Sequence, residues 1–399
     1  MNSAYIVDIV RTPVGKFGGS LSSVRPDDMA AFILKELMAR NPQVTPELIE
    51  DVVLGAANQA GEDNRNVARM ALLLAGLPLQ IGGVTVNRLC ASGLQSIMDA
   101  SRAIKSGDGE VYLAGGVESM TRAPFVMAKA ETAFSRTPEI YDTTIGWRFT
   151  NPTLSKLHHP FAMGETAENV AEREGVSREA QDEFAYNSQV KYKAAHEAGK
   201  FKDEIIPYPV PQRKADPIIF DTDEHPRLST IEKLAQLAPA FKKGGTVTAG
   251  NSSGINDGAA ASLMVSEDVL NRLNLTPMAR VVSVAIAGVE PSHMGMGPVP
   301  ATLKALKRAG LTINDIGLAE INEAFASQAL PCMVQLGIDP AIVNVNGGSI
   351  AIGHPLGASG TRISATLLHE MKRRGNVRYG LATMCVGVGQ GAAIIYEKV

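Results

Sequence analysis

One pattern occurs twice in this chain, and it limits the possible folds more than any other feature. In the first half, Ala91-Ser92-Gly93 opens a helical pattern carrying Leu94, Ile97, Met98 and Ile104. Gly107 stops it, and Val111-Tyr112-Leu113-Ala114 follows as a buried strand. In the second half, Ala358-Ser359-Gly360 opens a pattern carrying Ile363, Leu367, Leu368 and Met371. Gly375 stops that one, and Tyr379 to Met384 reads as a strand. Ala91 to Gly107 is 16 residues and Ala358 to Gly375 is 17. Apolar positions three and four apart, closed by glycine, mark a helix and its end. Upstream the order repeats. Asp51 to Gly55 follows a helical segment (Met29 to Met38), Asp315 to Ala319 follows another (Thr302 to Arg308), and Ile6 to Val10 matches Val281 to Ala285 in kind. Strands alternating with helices predict an α/β fold of two similar halves with covered sheets. The repeated order and spacing point to duplication.

A different kind of segment separates the halves. Residues 121–243 are richer in charge, proline and aromatics, as in Gly146-Trp147-Arg148-Phe149, His158-His159-Pro160 and Pro207-Tyr208-Pro209-Val210-Pro211. One helix is predicted there, Glu168 to Gly199. Long irregular insertions of this sort usually serve as lids or ligand-binding loops. The division expected for the 399 residues is therefore 1–120 with 244–275, an inserted segment 121–243, and 276–399.

Composition removes several function classes. A net charge of -3 argues against a dedicated nucleic-acid surface, which needs clustered Lys and Arg. Cys90, Cys332 and Cys385 are too few and too odd for a disulfide framework. Neither they nor the seven histidines fall in a zinc spacing, so no metal site is expected. No leader peptide is visible before the strand at Tyr5, and no apolar run approaches the roughly 20 residues of a membrane span. A reducing cytoplasm is the expected compartment.

Cys90 ends a strand-like stretch and precedes a helix, where free backbone N–H groups and the positive end of the helix dipole favour a thiolate nucleophile. Taken alone, a lone cysteine is more often a small buried hydrophobe. Three further loops change that balance: Glu320-Ile321-Asn322-Glu323-Ala324-Phe325, Asn346 to Gly357 with Gly353-His354-Pro355, and Cys385-Val386-Gly387-Val388-Gly389-Gln390-Gly391. A thiolate, a histidine base, a second cysteine able to carry a proton and glycine N–H groups for an oxyanion make an acyl-transfer site. Cys332, in the apolar stretch Leu330 to Val334, reads as core.

From residue 4 to 399 these motifs, in this order, resemble the thiolase family. The resemblance implies a five-layered αβαβα core of two similar halves with a loop domain inserted in the first. It implies that Cys90 becomes acylated, and that His354 deprotonates it and forms, with a water held by Asn322, one oxyanion hole. It implies that Cys385 exchanges the α-proton of acetyl-CoA. The N–H groups of Cys90 and Gly387 would form a second oxyanion hole. Ser253 matches the contact to the pantetheine arm of CoA, and Met163, Ala324 and Phe325 match the tunnel that holds it. CoA is then a co-substrate, acyl-CoA thioesters are the partners, no cofactor is permanently bound, and a homodimer or homotetramer is expected.

Within the family, the runs Gly61 to Met70, Asp142 to Phe149 and Cys385 to Gly391 resemble β-ketoadipyl-CoA thiolases, which release succinyl-CoA and acetyl-CoA. Ala162 stands where acetoacetyl-CoA thiolases usually carry histidine, whereas Gly164 stands where the adipyl type more often carries proline. Acetoacetyl-CoA thiolases and general 3-ketoacyl-CoA thiolases stay open as alternatives. A non-catalytic acyl-CoA-binding relative is disfavoured by the presence of Cys90, His354 and Cys385 together. A dicarboxylic acyl chain needs a cation for its far carboxylate. Arg148, His158 and His159 are the candidates, with a structural ion pair the competing role for Arg148.

Overall fold

The computed structural model describes residues 2–399. Its main sheet has ten strands, of which Gly15–Lys16 is a short side pairing on β5 and nine form the continuous order: β1 (Ala4–Arg11), β2 (Asp51–Gly55), β3 (Gly82–Val86), β4 (Val111–Ser119), β5 (Asn256–Ser266), β6 (Ala279–Gly288), β7 (Ile316–Ile321), β8 (Tyr379–Val386) and β9 (Gln390–Glu397). In the first half the order is β3-β2-β4-β5-β1, and in the second it is β7-β8-β9-β6. The second order repeats the first from β2 onward, and a parallel bridge from Val343 to Ala319 stands in the place of β3. Directions repeat as well: β2 is parallel to β4 as β7 is to β8, β3 is parallel to β2, and the remaining pairs are antiparallel. Even the irregularity recurs. Pairing shifts register at Val7 in β1 and at Val282 in β6, each an added residue that bends its strand.

The halves join at one narrow seam, where Tyr5 faces Arg280 and Ile6 faces Ala279. Between their sheets lie α3 (Ser92–Ser106) and α8 (Leu356–Arg374), which pack on each other and on strands of both halves. Helices α1 (Pro26–Arg40) and α2 (Val67–Leu74) cover the outer face of the first half. Helices α6 (Pro298–Ala309) and α7 (Ala326–Leu336) cover the second. The result is five layers with three apolar cores.

The repeated Ala-Ser-Gly segments mark where the central helices cross. A Cβ on Gly93 would lie 2.6 Å from the Gly357 carbonyl oxygen, and one on Gly360 would lie 2.2 Å from the Leu94 nitrogen. Only glycine permits that approach. Every residue of α8 from Gly357 to Met371 is buried, as expected for a helix enclosed on all sides.

The inserted segment carries two short hairpins, two short helices (Pro152–Leu157 and Ile231–Ala235) and two longer ones, α4 (Met163–Glu174) and α5 (Arg178–Glu197). The single helix expected from Glu168 to Gly199 is thus broken. Gly175 takes a left-handed conformation (φ 66°), and the Ser177 side chain caps the new N-terminus. The break is physical: glycine ends one helix cheaply, and serine starts the next. The insertion is tied to β1 through fully buried Arg11, which bonds Glu204 at 2.8 Å and Asp223 at 2.6 Å. No helix among the described residues is long and apolar enough to cross a membrane.

Candidate active site

The chemistry-bearing loops all lie at the C-terminal ends of parallel strands or the N-terminal ends of the two central helices. Cys90 follows β3 and immediately precedes Ala91, the N-cap of α3. Leu89 holds φ 47°, an uncommon conformation for a non-glycine residue that turns the chain sharply and presents the next side chain. Cys90 is half-buried. The N–H groups of Gly387 and of Cys90 itself reach its sulfur and favour the thiolate, but burial outweighs them and pushes the thiol up to about 11. The expectation of a thiolate held by the helix end is therefore corrected: desolvation of the sulfur wins over the local N–H groups. This nucleophile needs a base.

His354 is the residue expected to serve as one. It is buried, and its backbone N–H donates to Asn256 Oδ1 at 2.9 Å. Nδ1 lies 2.6 Å from Ser359 Oγ, which lies 2.9 Å from the Pro355 carbonyl. That carbonyl can only accept, so the serine donates to it and accepts from Nδ1–H. Nε2 is left bare, with the Asn322 amide nitrogen at 3.4 Å. Burial, then nearby Arg362, pushes the imidazole down to about 3, so it is neutral near pH 7.

Cys385, near the end of β8, is buried in an apolar cluster with Ala324, Phe325, Met294 and the edge of Met163. Burial, with Cys90 next in effect, raises its thiol well above the usual range. A Cβ on Gly387 would lie 3.6 Å from the Met163 sulfur and 3.1 Å from Leu89, which places that glycine between the loops. Ser253 donates from both its N–H (3.0 Å) and its hydroxyl (3.1 Å) to the Ala324 carbonyl. Met163, Ala324 and Phe325 thus cluster with Cys385, and Ser253 is held on Ala324. Cys332 lies elsewhere, fully buried, its thiol donating to the Gly295 carbonyl at 3.3 Å.

Cys90 opens into a mostly apolar cavity of about 360 Å³ whose walls include Thr143, Trp147, Arg148, Met163 and Glu118. Arg148 is half-buried there and makes no ion pair among the described residues. The structural ion-pair role is absent. His158 and His159 do not line this cavity. His158 lies 3.8 Å from Glu290, and the His159 ring packs edge-on against Phe161.

Two family models match the chain: the thiolase N-terminal domain over residues 4–268 and the thiolase C-terminal domain over residues 275–398. The chain belongs to the thiolase family. This thiolase is 55% identical over 402 residues, with both chains fully covered, to the 3-oxoadipyl-CoA/3-oxo-5,6-dehydrosuberyl-CoA thiolase of Escherichia coli (strain K12). It is 55% identical over 398 residues, 99% of each chain, to a β-ketoadipyl-CoA thiolase of Pseudomonas aeruginosa. Among solved structures, the Bacillus anthracis acetyl-CoA acetyltransferase superposes with a TM-score of 0.94 at 42% identity, over 100% of this chain and 99% of that one.

Sequence reading missed one wall residue of the thiolase cavity. Glu118 is buried and accepts from the N–H groups of Ala57 (2.9 Å), Asn58 (3.0 Å) and Gly357 (2.8 Å). It ties a first-half loop to the start of α8 beside Cys90. Burial raises its carboxyl to about 7 against those three donors. The signal was present: a carboxylate ending the buried run Val111 to Ser119 demands partners.

Proposed function

We propose that this thiolase cleaves 3-oxoadipyl-CoA with CoA to succinyl-CoA and acetyl-CoA. The observation that carries the substrate is Arg148, a cation with no carboxylate partner in the cavity that holds Cys90. The names of the relatives at 55% identity point the same way. A half-buried guanidinium facing an apolar cavity is poised for a bidentate bond to the distal carboxylate.

In the proposed cycle, the Cys90 proton passes to His354 Nε2 and the sulfur attacks the 3-oxo carbon. The bond between C2 and C3 breaks, and its electron pair goes to the acetyl-CoA enolate, which takes a proton from Cys385. A succinyl group stays on Cys90. CoA gives its thiol proton to Cys385 and its sulfur attacks the succinyl carbonyl. Succinyl-CoA leaves, and the Cys90 sulfur recovers its proton from His354. The N–H groups of Cys90 and Gly387 hold the oxyanion formed at the carbon under attack. His354 and a water held by Asn322 hold the oxyanion of the CoA thioester. Residues 121–243 serve as the substrate-binding loop domain, with Ser253, Met163, Ala324 and Phe325 along the pantetheine path.

The test is thiolysis of 3-oxoadipyl-CoA against acetoacetyl-CoA in the native protein and in Arg148→Ala. Losing one charge-assisted pair should raise KM for 3-oxoadipyl-CoA by about 10- to 100-fold and leave KM for acetoacetyl-CoA within about twofold. Equal effects on both substrates would remove Arg148 from recognition. A native preference for acetoacetyl-CoA or a neutral medium-chain 3-oxoacyl-CoA would overturn the substrate.

A further inference from the structure

Behind the proposed thioester oxyanion site runs a chain of one-way hydrogen bonds that ends on a fully buried cation. Asn322 Oδ1 lies 2.5 Å from Ser349 Oγ, and Ser349 Oγ bonds Arg362 Nη2. All three residues are buried. Arg362 has few other attachments. Among the described residues its nearest carboxylate oxygen is Glu320 Oε2, 3.9 Å from Nη1, and Nε, Nη1 and that oxygen have no hydrogen-bond partner there. A buried arginine held so loosely by its counter-ion has its one close contact in Ser349.

The order of donors follows from the chemistry of the groups. A guanidinium only donates. Ser349 must therefore accept from it, which leaves the single hydroxyl hydrogen for Asn322 Oδ1. The carboxamide can then turn only its nitrogen to His354 Nε2, at 3.4 Å. Ser359 fixes the same imidazole tautomer from the opposite side. Without a fixed donor at the far end, the serine hydroxyl and the amide could reverse, and the oxygen of Asn322 would face the site. An oxygen there would take a hydrogen from the held water instead of leaving the water free to donate to a thioester oxyanion.

We propose that Arg362, acting through Ser349, is a positioning residue that sets the donor direction of Asn322 and so completes the oxyanion site for the acetyl-CoA enolate. This rests on the reading of Asn322 and His354 as that site, but not on the choice of acyl chain. Neither Arg362 nor Ser349 touches substrate.

The experiment separates two half-reactions of the full-length protein with acetyl-CoA alone. One is exchange of the acetyl α-hydrogens in D2O, which needs the enolate. The other is acetylation of Cys90, read by mass spectrometry, which needs the other oxyanion hole. Ser349→Ala should slow exchange about tenfold or more, as for loss of an oxyanion donor, while acetylation stays within about threefold. Arg362→Met should show the same split, and Arg362→Lys, which restores a cationic donor, should recover most of the exchange rate. If Arg362→Met does not fold, Ser349→Ala decides by itself. Equal loss in both half-reactions, or no loss in exchange, overturns the proposal. Asn322→Ala is the control. If it also leaves exchange intact, the reading of the oxyanion site fails. If it abolishes exchange while Ser349→Ala does not, the relay alone fails.

Discussion

The two halves share strand order, strand direction and a bulge at the same place in their first strands, yet they carry different chemistry. The first half brings Cys90 and, through its insertion, most of the cavity wall. The second brings His354, Asn322, Cys385 and Gly387. The central helices show the division best. Both begin at the site and cross at matching glycines, but α3 starts just after the proposed nucleophile Cys90 and α8 just after the proposed base His354. A duplicated scaffold supplies two equivalent loop sets facing one crevice. Once they face each other, neither set needs to repeat the other's function.

The largest effect expected from breaking this division is on rate. His354→Asn removes a second-half group, yet it should disable the first-half nucleophile, lowering kcat about 1000-fold. Steady-state thiolysis checks this, and a loss below tenfold would mean that another base serves Cys90. The same variant tests acid stability. The imidazole is pushed down to about 3 in the folded state, from about 6.5 when exposed. Between those values the unfolded chain binds the extra proton, so stability falls as pH drops through this window. His354→Asn should flatten that decline in urea titrations from pH 7 to 4. His225, also pushed down to about 3, should keep part of it.

Next comes the crossing itself. Gly360→Ala would force a methyl against the Leu94 backbone and should cost about 3 kcal/mol by chemical denaturation. Gly310→Ala, where no atom lies within 4 Å but φ is 68°, should cost about 1 kcal/mol through backbone strain alone. A smaller difference would mean that the halves can slide apart at the seam.

The state of the nucleophile gives a subtler contrast. With the Cys90 thiol near 11, iodoacetamide labelling of the free enzyme should climb about tenfold per pH unit from 7 to 9. A plateau beginning near pH 6 would reveal a standing thiolate and imidazolium pair. The smallest effect belongs to Cys332. Replacing it with alanine should leave kcat unchanged and cost about 1 kcal/mol of stability. A large catalytic loss would mean that the second half uses both of its cysteines.

Much of this was readable from residues. The paired helices and their glycine stops, the strands at Asp51 and Val111, and Cys332 as core all rest on local periodicity, which a buried helix or strand face imposes on its own sequence. The break at Gly175 was also local, but two helices with compatible faces look like one when periodicity alone is followed. Glu118, Ser349 and Arg362 were not singled out, because each does its work through partners well separated in the chain. Glu118 reaches Gly357 across 239 positions, and no spacing announces such a pairing.

The sequence by itself determined the duplicated α/β scaffold and the set of candidate reactive groups, because patterning and motif chemistry are written in neighbouring residues. Only the tertiary structure decided the protonation of those groups and which cation enters the cavity. Burial raised Cys90 and lowered His354, reversing what a helix end alone suggests, and it left Arg148 facing the cavity while His158 and His159 turned elsewhere. Desolvation and orientation depend on everything packed around a side chain, and that surrounding comes from both halves at once.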